Sequence, residues 1–435
     1  MNILLAVHHF PPHYHSGAEL RAYRTARALQ DRGHTVQVIC VEEVKPASPG
    51  KLTWEDDLYE GIPVRRLSLD LEIAPSRLAW IYENPYLEEH LQSFLLNPKP
   101  DIFHQISGYL ITASGLRTAH RLGIPTVVTL TDFWFLCPRI QMIRSDGEIS
   151  QLPIQPSKCV RCLAEEKRSH RWLGRIFPGI MQHYWNIQTR QIQAVKRRLD
   201  VLSQTLNDIN AIISPSQFLR NIFIEAGVPP ERITFSRQGR DFPGLTAESM
   251  QKVLSPVLRV GYLGTIAEIK GVHVLFEAIR QIPGPVLTVH AFGDTAPFPG
   301  YTARLRRLVS ADQRLELAGK YPNDDLSRVM SNLDVIVVPS LWYENSPNVI
   351  LEAFAHCTPV IASNLGGMAE LVQHEKNGLL FTPGDASDLA NQIRRLIDEP
   401  GLLGTLCRGI EPIKSLAQEM DELEVMYNKL ALSSK

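Results

Sequence analysis

Nowhere in its 435 residues does the chain carry an apolar run approaching the roughly 20 residues that span a bilayer. It opens directly on an apolar stretch, Ile3 to Val7, without the basic segment and long apolar core of a secretory leader, so a cytoplasmic location is expected. Peripheral contact with a membrane stays open. Cysteines are few, six in all, and their irregular spacing excludes a secreted disulfide framework. Neither charge sign dominates, with 45 Lys and Arg against 46 Asp and Glu, so there is no overall signal for nucleic acid or acidic substrates. No solenoid-type repeat is visible. What is present is length enough for two or three domains and an ordinary apolar fraction of 44% to give each a core.

Residues 333–370 carry the clearest pattern. Val335 to Val338 is an apolar run closed by Pro339-Ser340, and Pro359 to Ala362 is a second. A polar loop and a helical stretch lie between them, which makes one βαβ unit with its loop at the carboxyl edge of a parallel sheet, where such folds place ligands. With a helix starting near Pro347, Glu344 falls in the loop and Glu352 one to two turns into the helix. The backbone N–H groups of Asn348, Val349 and Ile350 then point outward as an anion site suited to a diphosphate. Glu352 is placed to accept from a ribose, and Glu344, with Asn345 and Ser346, from sugar hydroxyls. The plainer alternative is a pair of solvated glutamates favoured near the positive end of a helix.

Glu344-x7-Glu352, with Thr358-Pro359-Val360 and Gly366-Gly367 in register, resembles the signature of the retaining, metal-independent glycosyltransferases of family 4. The resemblance implies the GT-B fold, α/β, with two doubly wound Rossmann-like domains facing across a cleft. It implies no required cofactor and a nucleotide-diphosphate sugar as donor, with UDP- or GDP-sugars foremost. The boundaries read from the sequence are an acceptor-side domain over 1–241 with an insertion at about 137–200, and a linker over 242–256 rich in Pro, Gly and Ser. A donor-binding domain over 257–412 follows, and then a helix over 413–435 that crosses back to the first domain.

In the first domain, strand Ile3 to Val7 leads through a histidine-containing loop (His8, His9, His13, His15) into Ser16-Gly17 and a helix running to about Arg32. The histidine spacing fits no standard metal site, and the resemblance places Ser16 and Gly17 beside the donor phosphate. His104 lies at the carboxyl tip of another strand as an acceptor-side candidate or a structural histidine. Where the family commonly shows His-Asp, this chain has Thr131-Asp132. Threonine carries no charge, so the role passes to Asp132 or to simple hydrogen bonding. Cys137, Cys159 and Cys162 resemble a family subgroup with a cysteine-containing insertion. They are zinc candidates if His170 or His183 supplies a fourth ligand, the default being a reduced, metal-free insert. Ten Lys and Arg between Lys158 and Arg198 oppose only Glu165 and Glu166. Trp172, Ile176, Phe177, Ile180, Met181, Tyr184 and Trp185 interleave with them, which suits either an interfacial helix at an anionic membrane or a packed helix with snorkelling cations.

In the second domain the family pattern has an Arg after the first glycine and a Lys before the next, both on the diphosphate. Here Lys270 is present and Thr265 takes the Arg place, so one cation is missing unless Arg237 or Arg240 compensates. Lys320 and Tyr321 fall where the family reads the base. Glu344, Lys270 and Asp132 are thus the catalytic candidates for transfer, with retention, of a hexosyl group to a saccharide or lipid-linked acceptor in cell-surface polysaccharide or glycan synthesis. Two other readings are kept: a catalytically silent or partner-dependent nucleotide-sugar-binding protein, and a nucleotide-sugar 2-epimerase of the same fold.

Overall fold

The computed structural model describes residues 1–43, 52–242, 245, 255–322 and 325–433. The chain forms two compact units, one of Met1–Arg237 with Leu416–Lys435, the other of Gln238–Ser415. The linker expected over 242–256 lies almost wholly outside the described residues.

The first unit is built on an eight-stranded sheet. In chain order its strands are β1 (Asn2–Val7), β2 (Thr35–Glu43), β3 (Leu52–Tyr59), β4 (Ile62–Leu69), β5 (Ile102–Ile106), β6 (Thr126–Thr129), β7 (Ala211–Ser214) and β8 (Ile233–Phe235). Their spatial order is β3-β4-β2-β1-β5-β6-β7-β8. All neighbouring pairs are parallel except β3 with β4. The apolar runs of β1 and β7, and the complete burial of β5 and β6, suit strands covered on both faces. The β3–β4 hairpin turns through Glu60 and Gly61, both at positive φ (48° and 81°), as a two-residue turn between twisted strands requires.

The closing helix Leu416–Ser433 lays Met420, Leu423 and Tyr427 into the core of this unit. Arg21 reaches it through a buried ion pair to Glu419 at 2.6 Å. The insertion consists of helices Pro156–Ala164, Arg168–Ile176, Pro178–Asn186 and Thr189–Asp208, around a small core of Val160, Trp185 and Val195. A single interfacial helix through 172–185 is therefore not what forms: the chain breaks at Phe177, because Pro178 can only begin a helix there.

The second unit has strands β9 (Leu258–Leu263), β10 (Leu287–Phe292), β11 (Leu315–Gly319), β12 (Val335–Val338), β13 (Val360–Ser363) and β14 (Gly378–Phe381). They run in the order β11-β10-β9-β12-β13-β14, all parallel. The loops after β9, β12 and β13 therefore share one edge of the sheet. Residues 238–241, expected with the first domain, belong to this unit, where the Arg240 N–H donates to the Lys414 carbonyl at 2.9 Å.

Candidate donor and acceptor sites

Two glycines bring the second unit's site together. Gly271 ends the short turn Glu268–Lys270 at φ 72°, and a Cβ there would lie 1.9 Å from the Pro339 carbonyl oxygen. The loop after β9 can thus lie flat against the end of β12, where the Leu341 N–H donates to the Ile269 carbonyl at 2.8 Å. Gly367 does the same for the loop after β12. Its N–H donates to the Glu344 carbonyl at 2.7 Å, and a Cβ would meet the Asn345 carbonyl oxygen at 1.8 Å.

Lys270 and Glu344 meet as a result. The ammonium lies 2.5 Å from Glu344 Oε1 and 5.2 Å from the centre of the Trp342 ring. The same oxygen accepts from Ser340 Oγ and Trp342 Nε1, each at 3.0 Å. Three donors on one oxygen of a carboxylate only 9% exposed make this an oriented group and not a solvated one. The plainer alternative for Glu344 is set aside on that ground. Tyr262 stands close by, its hydroxyl donating to the Thr265 carbonyl at 2.7 Å. Burial, and then the charge of Glu344, push that hydroxyl far above the usual tyrosine range.

Helix Asn348–Ala355 begins at this group, with Pro347 as its N-cap and not its first helical residue. One expectation is corrected here: the Ile350 N–H is not turned outward, because it donates to the Pro347 carbonyl at 3.1 Å in a tightened first turn. Asn348 and Val349 keep the expected place at the helix start. Among the described residues, Ser346 Oγ and Asn348 Oδ1 are buried without a hydrogen-bond partner. Such atoms are costly unless something polar meets them. The helix closes on Cys357 at φ 51°, the left-handed position where glycine is usual.

Further along this helix, Glu352 Oε1 accepts from Arg240 Nη2 at 3.0 Å. Its backbone carbonyl accepts from His356 Nδ1 at 2.7 Å, and His356 Nε2 lies 3.0 Å from Ser327 Oγ. Arg240 is therefore engaged with the ribose candidate, which leaves the Arg-for-phosphate compensation unsupported at that residue. Lys320 and Tyr321 line a cavity of about 370 Å³ with Phe292, Ala318, Pro322 and Val329. Lys320 itself is drawn outward to Asp294 at 2.7 Å. Tyr321 packs edge-on against Phe292.

In the first unit, Ser16 is the N-cap of helix Gly17–Asp31, and both Ser16 and Gly17 are exposed. Two residues further in, buried Glu19 gathers His8 Nε2 at 3.2 Å and His9 Nδ1 at 3.7 Å. Burial pushes this carboxyl up, and the two imidazoles more than reverse the effect, holding it well below the carboxylate range. His8, His9 and Glu19 bring their ligand atoms within 4.8 Å of one another. Spacing alone did not reveal this, since Glu19 lies eleven and ten residues beyond His8 and His9, while His13 pairs with Glu42. Asp132 is held by the Trp134 N–H at 2.8 Å, Thr131 Oγ1 at 3.1 Å and Ser107 Oγ at 3.3 Å. Burial raises its pKa despite these donors, with the nearby charge of His8 also opposing the rise.

The chain matches two families of known proteins. A model described as Glycosyltransferase Family 4 matches residues 15–241, more than half of it. A second, Glycosyl transferases group 1, matches residues 257–399. The chain belongs to glycosyltransferase family 4. Its relatives include the amylovoran biosynthesis glycosyltransferase AmsK of Erwinia amylovora, 29% identical over 43% of this chain and 47% of that protein. The 2-deoxystreptamine glucosyltransferase of Streptomyces kanamyceticus is 31% identical over 32% of this chain and 36% of its own length. The chain thus spans about half the length of these curated relatives, or less. Among solved structures, Anabaena HepE in complex with UDP superposes with a TM-score of 0.65 at 19% identity, covering 98% of this chain and 100% of that one. The fold is GT-B, with a Rossmann-like parallel sheet in each unit.

Within this family 4 glycosyltransferase some candidates fall away. His104 is 2% exposed, with Nδ1 2.5 Å from the Tyr427 hydroxyl and Nε2 2.7 Å from Thr129 Oγ1. Both nitrogens are used inside the core, so it is not an acceptor-side residue. Burial, helped by the charge of Arg21, pushes its pKa down to about 3 from 6.5. The unfolded chain therefore takes up a proton between these values that the folded chain refuses. Stability from this group is complete above pH 6.5 and falls as the pH drops toward 3, by up to about 1.4 kcal/mol per pH unit. Urea midpoints from pH 7 downward are expected to decline more gently in His104→Gln than in the wild type. Parallel declines would exclude this origin.

Cys137, Cys159 and Cys162 line one cavity of about 180 Å³ together with Ser150. Burial pushes the thiols of Cys137 and Cys159 up, the latter to about 12. They are not among the described groups that gather ligand atoms within 4.8 Å. The expected fourth ligands do not line this cavity; His170 Nδ1 lies 3.2 Å from the Ala164 carbonyl, with its ring against Trp185.

Proposed function

We propose that this glycosyltransferase moves a hexosyl group from a nucleotide-diphosphate sugar to a saccharide or lipid-linked acceptor, with retention, in the assembly of a cell-surface polysaccharide or glycan. The observation that carries it is the Lys270–Glu344 pair at the start of helix Asn348–Ala355, beside the buried polar atoms of Ser346 and Asn348. In this reading Glu352 accepts from the ribose hydroxyls while Arg240 orients it. Lys270, with the N–H groups of Asn348 and Val349, receives the diphosphate, and Glu344 holds the sugar and fixes the ammonium. The cavity at Lys320 and Tyr321 takes the base. Thr265 is left to bond the diphosphate without charge.

Asp132, with Thr131, serves the acceptor hydroxyl, and Ser16 and Gly17 are offered to the donor phosphate. The acceptor oxygen bonds to the anomeric carbon as the bond from that carbon to the phosphate oxygen breaks. The departing phosphate takes the acceptor's proton on the same face, so configuration is kept. Lys270 stabilises the charge that grows on the phosphate, an electrostatic contribution made most strongly in the transition state. No metal is needed in this scheme.

Thermal shift against UDP-, GDP- and ADP-sugars tests it, with uridine donors first because the similar Anabaena structure holds UDP. A donor at one hundred times its dissociation constant adds about 2.7 kcal/mol to the wild type. Glu352→Ala is expected to lose most of this. A panel in which no donor stabilises the wild type, or in which Glu352→Ala responds equally, would count against the assignment.

A further inference from the structure

We infer that helices Arg168–Ile176 and Pro178–Asn186 form a docking surface for an anionic lipid bilayer. As the place where a lipid-linked acceptor is met, the surface rests on the transferase reading. The surface itself rests on exposure and charge. Six large apolar side chains are exposed within sixteen residues: Trp172, Ile176, Phe177, Ile180, Tyr184 and Ile187. Trp172 and Ile176 lie four apart on the first helix, Ile180 and Tyr184 four apart on the second, and Phe177 stands at the corner between them. The insertion has a core of its own that does not contain these groups, Tyr184 touching it edge-on at Trp185. Trp185 is 7% exposed inside that core, whereas Trp172 is 61% exposed outside it. A monomer rarely leaves so many aromatic and aliphatic groups together in water without a use for them.

The charges choose the occupant. From residue 166 to 190 the exposed cations are Lys167, Arg168, Arg171, Arg175 and Arg190, against the single exposed carboxylate of Glu166. Two of these lie one turn apart, Arg171 and Arg175, on the helix that carries Trp172 and Ile176. Aromatic and branched side chains ringed by arginine match an interface with apolar depth and anionic headgroups, and such helices insert to the boundary without spanning. No described helix is long and apolar enough to cross a membrane, so attachment of this kind is what these helices can offer. A second copy of the chain presenting the same face would set like charges against each other.

Sedimentation with vesicles tests this, with no donor present, so that its failure is separate from failure of the donor assignment. The full chain is expected to bind vesicles of phosphatidylcholine mixed with phosphatidylglycerol, to be released by salt, and to ignore phosphatidylcholine alone. Each cation removed weakens binding about fivefold, so Arg168→Gln with Arg175→Gln is expected to lose about 25-fold. Trp172→Ser, Phe177→Ser and Ile180→Ser together should abolish it while leaving the thermal midpoint and donor-induced shift unchanged, because these groups are already in water. Equal binding to both vesicles, wild-type binding by the triple variant, or a wild-type dimer that this variant converts to monomer would overturn the inference.

Discussion

Lys270→Ala is expected to lower kcat/KM for donor turnover by about 10²- to 10³-fold, the usual cost of removing one oriented group that meets developing charge. The loss should be the larger because Thr265 already stands where a second cation is expected, so no neighbouring Lys or Arg of that loop can substitute. The fold should survive the change, since Ser340 Oγ and Trp342 Nε1 still donate to the Glu344 carboxylate once the ammonium is gone. Lys270→Arg is not expected to restore activity. A planar guanidinium cannot occupy the point position 2.5 Å from Glu344 Oε1 and over the Trp342 ring that a compact ammonium fills. Glu344→Gln removes the anion that aims Lys270, so the double variant should lose much less than the product of the single losses. Steady-state kinetics on the four proteins read this directly. A Lys270→Ala enzyme within a few fold of wild type, or strictly multiplicative losses, would remove Lys270 from the diphosphate.

Much of this was legible in the chain itself, for a physical reason. Strands covered on both faces must be nearly all apolar, so β1, β7 and β12 announce themselves, and the βαβ loop carrying Glu344 and Glu352 is fixed by the runs that flank it. Strand β3 is different. Its residues Leu52–Tyr59 include Glu55, Asp56 and Asp57 and lie largely in water at a sheet edge. Asp56 is satisfied by Arg65 of β4 directly opposite it, and Asp57 by Arg66 on the diagonal. Charge pairing across a hairpin replaces apolar alternation there, so hydrophobic pattern has nothing to register. The site shows the same division. Spacing exposed Lys270 and the two glutamates, but Ser340, Trp342 and Arg240 act through distances that only the folded loops create. His104 misled because a strand tip at the right edge suggests a ligand, while its actual partners, Thr129 and Tyr427, come from 25 and 323 residues away.

Gly367→Ala is expected to cost more than about 2 kcal/mol of stability and, in the fraction that folds, most of the donor response. The added methyl would lie 1.8 Å from the Asn345 carbonyl oxygen and 2.8 Å from that of Glu344, both backbone atoms with no rotamer to escape into. Relief requires the loop after β12 to lift. That movement also lengthens the bond from the Gly367 N–H to the Glu344 carbonyl and carries the Glu344 carboxylate away from Ser340, Trp342 and Lys270. Stability and donor binding are therefore coupled through one backbone contact. Gly300→Ala provides the contrast: it lies in helix Pro299–Ser310 with no heavy atom within 4 Å of an added Cβ. There the substitution should stabilise by about 0.5–1 kcal/mol, because alanine loses less conformational freedom on entering a helix, and leave donor affinity untouched. Denaturant midpoints and donor titrations on the two variants separate the cases. If Gly367→Ala unfolded like the wild type and bound donor normally, the loop after β12 would have to be far more yielding than its hydrogen bonds to Ile269 and Gly367 imply, and the rigid placement of Glu344 on which the electrostatic argument depends would fail with it.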